Sequence, residues 1–390
     1  MTADNTICGY IICDYFRRGE CRSCGEITRS YAEQLAAKEQ AAKKALSACR
    51  ELRWLPSVAN SERGFRNKAK MMVGGSIDAP TLGILDATFH GVDLAECPLY
   101  PPTLSHAFEP LREFITRAAI TPYDVNTRQG ELKHLLITVS DAPGHPLMLR
   151  FVCRSREPEA RIRKHLPWLR ERLPSLSVVS INLLPQHMAA SEGREEVLLS
   201  DNELLPMPIN DLPLYLKPGG FFQTSTPIAA ALYQQAQDWI RERQPTSVLD
   251  LYCGVGGFAL HAATALPPST QVAGIEVSTD AIACARRSAK EQNRPGLHFQ
   301  AIDAEQTPDD AINHSDLIVV NPPRRGIGAT LCERLDQSPA RWLIYSSCNV
   351  ETLADDLARM PRWRACEARL LDMFPHTRHF ETIALLERRP

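Results

Sequence analysis

From Gly219 onward, short apolar runs alternate with runs of helical spacing. This alternation restricts the fold more than any other feature of the 390-residue chain. "SVLDLYCG", "QVAGIEVS", "LHFQAID", "DLIVVNPP" and "RWLIYSSC" are five such apolar runs. A strand that is apolar on both faces must be covered on both, so the pattern predicts a doubly wound, mostly parallel sheet. Helices are expected from Phe258 and over "TDAIACARRSAKEQ". The N-terminal side reads differently. "YAEQLAAKEQAAKKALSACRELRWL" has the composition and spacing of a helix from Tyr31 to about Leu55, stopped by Pro56. Between Gly64 and Leu216 lie the β-rich runs "KMMVGG", "ELKHLLITVS", "LMLRFVCR", "LSVVSINLL" and "EEVLL", with helical pieces near 103–119 and 157–173. The expected class is α/β in three parts: a cysteine-bearing arm and helix over 1–60, an α+β middle domain over 61–215, and a Rossmann-like domain over 216–390.

The turn in "LDLYCGVGGFAL" puts Gly254, Gly256 and Gly257 between a buried strand and a helix, where the backbone can approach a ligand. Its G-x-G-G spacing departs from the dinucleotide G-x-G-x-x-G, which disfavours a nicotinamide oxidoreductase. Glu276 ends the next strand, where a carboxylate can accept both ribose hydroxyls. Asp303 ends the third, where an acid can take an adenine amino group. Strand, glycine turn, acid, acid is the layout of a class I S-adenosylmethionine methyltransferase.

The fourth strand ends in "VVNPPRRGIG", with Arg324 where amine-methylating enzymes often carry an aromatic. An exocyclic amine is therefore disfavoured as target. The fifth ends in "IYSSCN", which sets Cys348 at the carboxyl end of the sheet, where ligands bind in such folds. A strand-end cysteine is commonly a small buried hydrophobe. One facing the cofactor crevice suits a nucleophile. C5 of uracil is a poor nucleophile until a thiolate adds at C6, and a base must then remove the C5 proton. Glu381, opening a final strand in "FPHTRHFETIALL", suits that base, with His376 and His379 as rivals.

"CDYFRRGECRSC" spaces Cys13, Cys21 and Cys24 as C-x7-C-x2-C. No stretch is apolar enough to span a bilayer and no signal peptide is read, so a reducing cytoplasm and no membrane partner are expected. There, twelve cysteines point to metal or catalytic use for some. Cys97 in "AECPLYP" is the best candidate for a fourth ligand, and spacing alone leaves zinc and an iron–sulfur cluster both open. A net charge of −2 neither favours nor excludes RNA, so any RNA surface must be a local patch. "ERGFRNKAKM", with Arg63, Phe65, Arg66, Asn67, Lys68 and Lys70, mixes cations and an aromatic suited to phosphates and an unstacked base. The second basic run, around "REPEARIRKHLPWLRERL", reads as a solvated helix, because Glu157, Glu159 and Glu171 offset its charge.

Taken in order, "FFQTS", "DLYCGVGGFAL", "GIEVS", "VNPPRRGIG", "YSSCN" and "DMFPHTRHFET" resemble the RNA uridine C5-methyltransferase family over 219–390. "GFRNKAKM" and "CPLYP" extend the resemblance over nearly the whole chain. It implies S-adenosylmethionine as methyl donor, Cys348 as nucleophile and Glu381 as general base. It implies Gln223, Tyr252, Glu276 and Asn321 as cofactor contacts, beside Gly254 and Asp303 from the layout above. Asn321 departs from the common Asp of the family but matches members that act on 23S ribosomal RNA, the partner this implies; Tyr252 stands where Phe is common. Another ribosomal site, or tRNA, is the alternative target. A non-catalytic iron–sulfur RNA-binding protein is the alternative class, and the intact set of Cys348, Glu381, Glu276 and Asn321 speaks against it. The resemblance also makes Cys13, Cys21, Cys24 and Cys97 the ligands of a [4Fe–4S] cluster. It leaves Cys8, Cys49, Cys153, Cys253, Cys284 and Cys332 as structural. No N-terminal TRAM barrel is expected ahead of Cys13, and a monomer is expected.

Overall fold

The computed structural model describes residues 6–7, 10–188, 190, 192–294 and 296–389, so Cys8 lies outside the described residues. Two large sheets organise them. The middle of the chain supplies β1 (Lys68–Gly75), β2 (Pro80–Leu85), β3 (Gly91–Asp93), β4 (Leu132–Val139), β5 (Leu147–Cys153), β6 (Leu176–Leu183) and β7 (Glu195–Leu198). They run in the order β7-β6-β5-β4-β1-β2-β3, antiparallel except for the β5–β6 pair. Strands β2 and β3 escape the sequence reading, because Pro80, Gly83 and Gly91 interrupt any β-rich run. Helices Phe108–Arg117 and Glu159–Arg172 cover one face, burying Phe114, Ile115, Ile162 and Leu169 against Met71, Leu135, Leu149 and Phe151.

The C-terminal apolar runs form β8 (Ser247–Leu251), β9 (Gln271–Glu276), β10 (Leu297–Ala301), β11 (Leu317–Val320) and β12 (Trp342–Ser347), followed by β13 (Trp363–Leu371) and β14 (Glu381–Arg388). Their order is β10-β9-β8-β11-β12-β14-β13. The first five are parallel, while β14 inserts antiparallel between β12 and β13. The near-continuous apolar runs have the cause proposed for them. Val248 and Val319 pack towards helices Thr226–Arg243, Gly257–Ala265 and Thr279–Gln292. Leu249, Ile318 and Val320 pack towards Gly328–Gln337 and Val350–Ala358.

The N-terminal helix corrects one expectation. It spans Tyr31–Ala45, opened by a capping box in which Ser30 and Glu33 satisfy each other's backbone N–H, and it does not reach Leu55. Ser47 and Cys49 are weak helix formers, and the chain turns there. Arg53–Trp54 instead adds a short parallel strand to the open edge of β13, with Leu55 N donating to Ala368 O (2.8 Å) and Val58 N to Leu370 O (2.8 Å). Edge pairing satisfies backbone groups of both strands, whereas a longer helix would leave the edge of β13 unpaired. Ala42 and Leu46 bury against the same core as β8, β11 and β12. The segment 31–58 is thereby built into the C-terminal layers.

The strand order reverses about β8, which lies between β9 and β11. This switch point opens a crevice at the carboxyl ends of the strands. No described helix is long and apolar enough to cross a membrane.

Candidate active site

The turn after β8 enters the crevice under strain. Tyr252 is a non-glycine residue at φ +60°, and Gly254 and Gly256 follow at +53° and +87°. At Gly256 a Cβ would lie 3.0 Å from the Phe299 ring and 3.1 Å from the Ala285 Cβ, so only glycine lets the helix start against β10. Asp250 locks the turn from beneath. It is fully buried, accepts the Ala259 N–H at 2.9 Å, and burial pushes its carboxyl up to about 8.

A cavity of about 750 Å³ opens above this turn. Gln223, Tyr252, Gly254, Glu276, Asp303, Asn321, Cys348 and Glu381 all line it, so every residue expected to bind cofactor or react faces one space. Glu276 is oriented by two backbone donors, Gly254 N at 3.3 Å and Ser278 N at 2.9 Å. Asp303 caps a short helical turn by accepting from Glu305 N at 3.0 Å. Gln223 is buried, and its carbonyl accepts from Asn67 Nδ2 at 2.9 Å. Phe221 (68% exposed), Val277 (67% exposed), Phe374 and Arg325 also line the cavity. The quoted motifs contain Phe221 and Phe374, but only the fold reveals that they share this wall.

Cys348 and Glu381 meet because β12 and β14 are neighbours, with Ser347 paired to Thr382. Ser346 Oγ donates to Glu381 Oε1 at 2.6 Å. Burial pushes the Glu381 carboxyl up to about 7 against that hydrogen bond. Burial, then the Glu381 charge, raises the Cys348 thiol above its usual value, and Arg324 pulls it back. Arg324 is held beside the thiol through its own carbonyl, which accepts from Asn349 Nδ2 and Thr352 Oγ1, both at 3.2 Å. The rival histidines stand elsewhere: neither lines the cavity, His379 is exposed, and both ring nitrogens of His376 are occupied.

The thiols of Cys13, Cys21, Cys24 and Cys97 lie within electrostatic reach of one another where the arm and the middle domain meet. The Tyr15 hydroxyl accepts from Glu96 N at 3.1 Å, bringing the arm against the Cys97 turn. Burial, followed by the charges of Cys97, Cys21 and Cys13, pushes Cys24 up to about 12. Burial likewise pushes Cys97 up to about 11, with Cys13 and Cys21 adding to it. Arg66 acts on both thiols in the opposite direction, and its Nε is buried with no hydrogen-bond partner. Among the described residues, no group of three Cys, His, Asp or Glu side chains is gathered as around one metal ion. Of the cysteines expected to be structural, Cys153, Cys253, Cys284 and Cys332 are buried, and Cys49 is half-buried.

The first basic run is open only in part: Arg63 and Lys70 are exposed, but its centre is not. Phe65 and Asn67 are buried, Asn67 is spent on Gln223 and Thr226, and Arg66 faces the cysteines. The second run is ion-paired as a solvated helix should be, through Arg161–Glu157 and Arg163–Glu159.

Comparison with known proteins gives one answer. The model of the tRNA (uracil-5-)-methyltransferase family matches residues 188–389. The chain is 46% identical to the 23S rRNA (uracil(747)-C(5))-methyltransferase RlmC of Pectobacterium carotovorum, over 96% of this chain and 99% of that one. It is 48% identical to the protein of the same name from Halothiobacillus neapolitanus, with the same two shares covered. Among solved structures, the tRNA (uracil-54, C5)-methyltransferase of Pyrococcus abyssi, in complex with S-adenosyl-L-homocysteine, superposes with a TM-score of 0.77 at 25% identity. That match covers 93% of this chain and 85% of the other.

Proposed function

The chain belongs to the tRNA (uracil-5-)-methyltransferase family, and on that footing we propose that it transfers a methyl group from S-adenosylmethionine to C5 of a uridine in 23S ribosomal RNA. The nucleotide is the one corresponding to 747 in the names of its relatives. The single observation that carries the chemistry is one cavity lined by a thiol, a buried carboxyl with a raised pKa and a glycine turn followed by two acids.

The donor set fits S-adenosylmethionine. Glu276 has both oxygens oriented by backbone N–H groups and suits the ribose hydroxyls, while Val277 and Asp303 suit the apolar face and amino group of adenine. Gln223, Tyr252, Gly254 and Asn321 complete the wall. When bound, the cofactor would supply an electrophilic methyl group, the pair of the broken S–CH3 bond staying on the departing thioether sulfur. Cys348 Sγ adds to C6 of the uracil, which moves the electron pair of the C5–C6 bond onto C5 and its conjugated carbonyl. C5 takes the methyl group and then carries both methyl and hydrogen. Glu381, ionised, removes that hydrogen as a proton; the pair returns to the C5–C6 bond and Sγ leaves. C6 must be reachable, so the target base is unstacked or flipped out.

In this reading Arg324 sets how much thiolate is available. Arg324→Gln should raise the Cys348 pKa, so that covalent adduct forms only at higher pH and about tenfold more slowly at neutral pH. The initial rate of adduct formation against pH tests this, and an unmoved profile would remove Arg324 from the reaction.

Cys13, Cys21, Cys24 and Cys97 suit a [4Fe–4S] cluster as a brace between arm and middle domain. A four-iron cube holds its thiolates farther apart than one ion does, and the buried, unpartnered Arg66 Nε–H suits an anionic sulfur group. Methyl transfer moves no net electrons, so the group's part is structural. Cys97→Ser should lose bound iron and the absorbance near 400 nm, and it should melt earlier than wild type. Full iron content in that variant would refute the ligand assignment.

A further inference from the structure

His376 is wholly buried in the segment that leads into Glu381, and nothing in the mechanism above uses it. Its backbone sits at φ +63°, a conformation that a non-glycine residue keeps only when its surroundings impose it. Those surroundings come from the other end of the chain. His376 N donates to Gln34 Oε1 at 2.8 Å, and its carbonyl accepts from Glu26 N at 2.9 Å. Its Nε2 lies 2.9 Å from Glu62 O, and its Nδ1 lies 3.3 Å from Gln34 Nε2. A carbonyl can only accept, so Nε2 carries the hydrogen and Nδ1 accepts from the Gln34 amide. One neutral tautomer satisfies every contact, consistent with burial lowering the imidazole pKa. Gln34 is itself fixed, because its amide also donates to Arg29 O at 2.9 Å.

The same segment is held a second time. Lys38 and Asp372 form a buried ion pair at 2.6 Å, and Lys38 Nζ also donates to Phe374 O at 3.0 Å. Tyr31 donates to the other Asp372 oxygen at 3.0 Å and accepts from Asn60 N at 2.7 Å. Residues 372–376 are therefore fixed by side chains of the N-terminal helix, together with backbone groups of Glu26 and Glu62. Phe374 and Glu381, on either side of His376, both face the reaction cavity.

We propose that Gln34 and His376 are positioning residues for proton removal: their clamp fixes the approach of the Glu381 carboxylate to C5. The inference rests on the base role proposed for Glu381. A loosened clamp leaves Cys348, Arg324 and the glycine turn in place, because these stand on β8, β11 and β12 rather than on the 372–380 segment. Thiolate addition and methyl transfer should therefore proceed while elimination stalls.

The test is a single-turnover reaction of the full chain with methyl-labelled S-adenosylmethionine and unmodified 23S RNA, in which released methylated RNA and protein-bound methylated RNA are counted separately. Gln34→Leu removes both Gln34 contacts to His376, and with them the bond to Arg29 O. His376→Asn keeps a residue that tolerates positive φ while removing the ring. Both should release product at least about tenfold more slowly and accumulate the covalent adduct, with the adduct forming at the wild-type rate. Amide hydrogen exchange should quicken over 373–380 but not over β8 or β11. Wild-type release by either variant, slow release without adduct, or unchanged exchange over 373–380 would each overturn the proposal. A wild-type protein that labels no RNA would instead overturn the methyltransferase reading, and a Glu381→Gln enzyme without adduct would overturn the base role on which the clamp depends.

Discussion

Cys348→Ala is expected to abolish methylation of 23S RNA, by about 10⁴-fold or more, while leaving the fold and cofactor binding intact. The size of the effect follows from the ring. Without addition at C6, C5 has no electron pair to offer, and the side chains around the crevice cannot supply one by positioning alone. Cys348 is partly exposed at the end of β12, so its removal leaves no deep void in the core. Labelled S-adenosylmethionine counted into RNA, beside a melting curve of the same preparation, measures both halves of the prediction. Full incorporation by the variant would remove Cys348 from the mechanism.

Glu381→Gln is expected to lower turnover by about 10²–10⁴-fold and to trap methylated RNA on Cys348. The carboxyl must be ionised to act. Because burial lifts it to about 7, release of product should rise with pH through that range. Stability should run the other way. The folded protein keeps the Glu381 proton to higher pH than the unfolded chain does. Above the usual carboxylate range the unfolded state therefore loses its proton first, and this group reduces stability progressively up to about pH 7. The whole effect is about 3 kcal/mol. Gln can still accept from Ser346 and carries no charge, so Glu381→Gln should be more stable than wild type at pH 8 and lose that advantage below pH 5. Denaturant unfolding of both proteins at the two pH values measures the difference; an equal gap at both would show that Glu381 is not a charge held at a cost for function.

Much of this site is legible in the chain because it is local. The glycine turn, Glu276, Asp303, Asn321 and Cys348 all end parallel strands, and a parallel doubly wound sheet brings those ends to one rim. Reading the strands therefore reads the rim. Composition misleads where burial decides. Phe65, Asn67 and Arg66 look like an RNA patch, yet a neighbouring loop and the cysteines take them up. The helix expected through Leu55 stops at Ala45, because an open sheet edge competes for the chain beyond it.

The sequence by itself determined the parallel layers and which residues, Gly254, Glu276, Asn321 and Cys348 among them, stand at the strand ends, since period and strand-end position survive any detail of packing. Only the tertiary structure decided that His376 and His379 stand outside the cavity, what raises Glu381, and what holds the segment before it. Gln34 and His376 stand 342 positions apart, and no local pattern marks a pair so separated. A hydrogen bond needs only that two groups converge in space, and that convergence is set by the sum of all the packing between them.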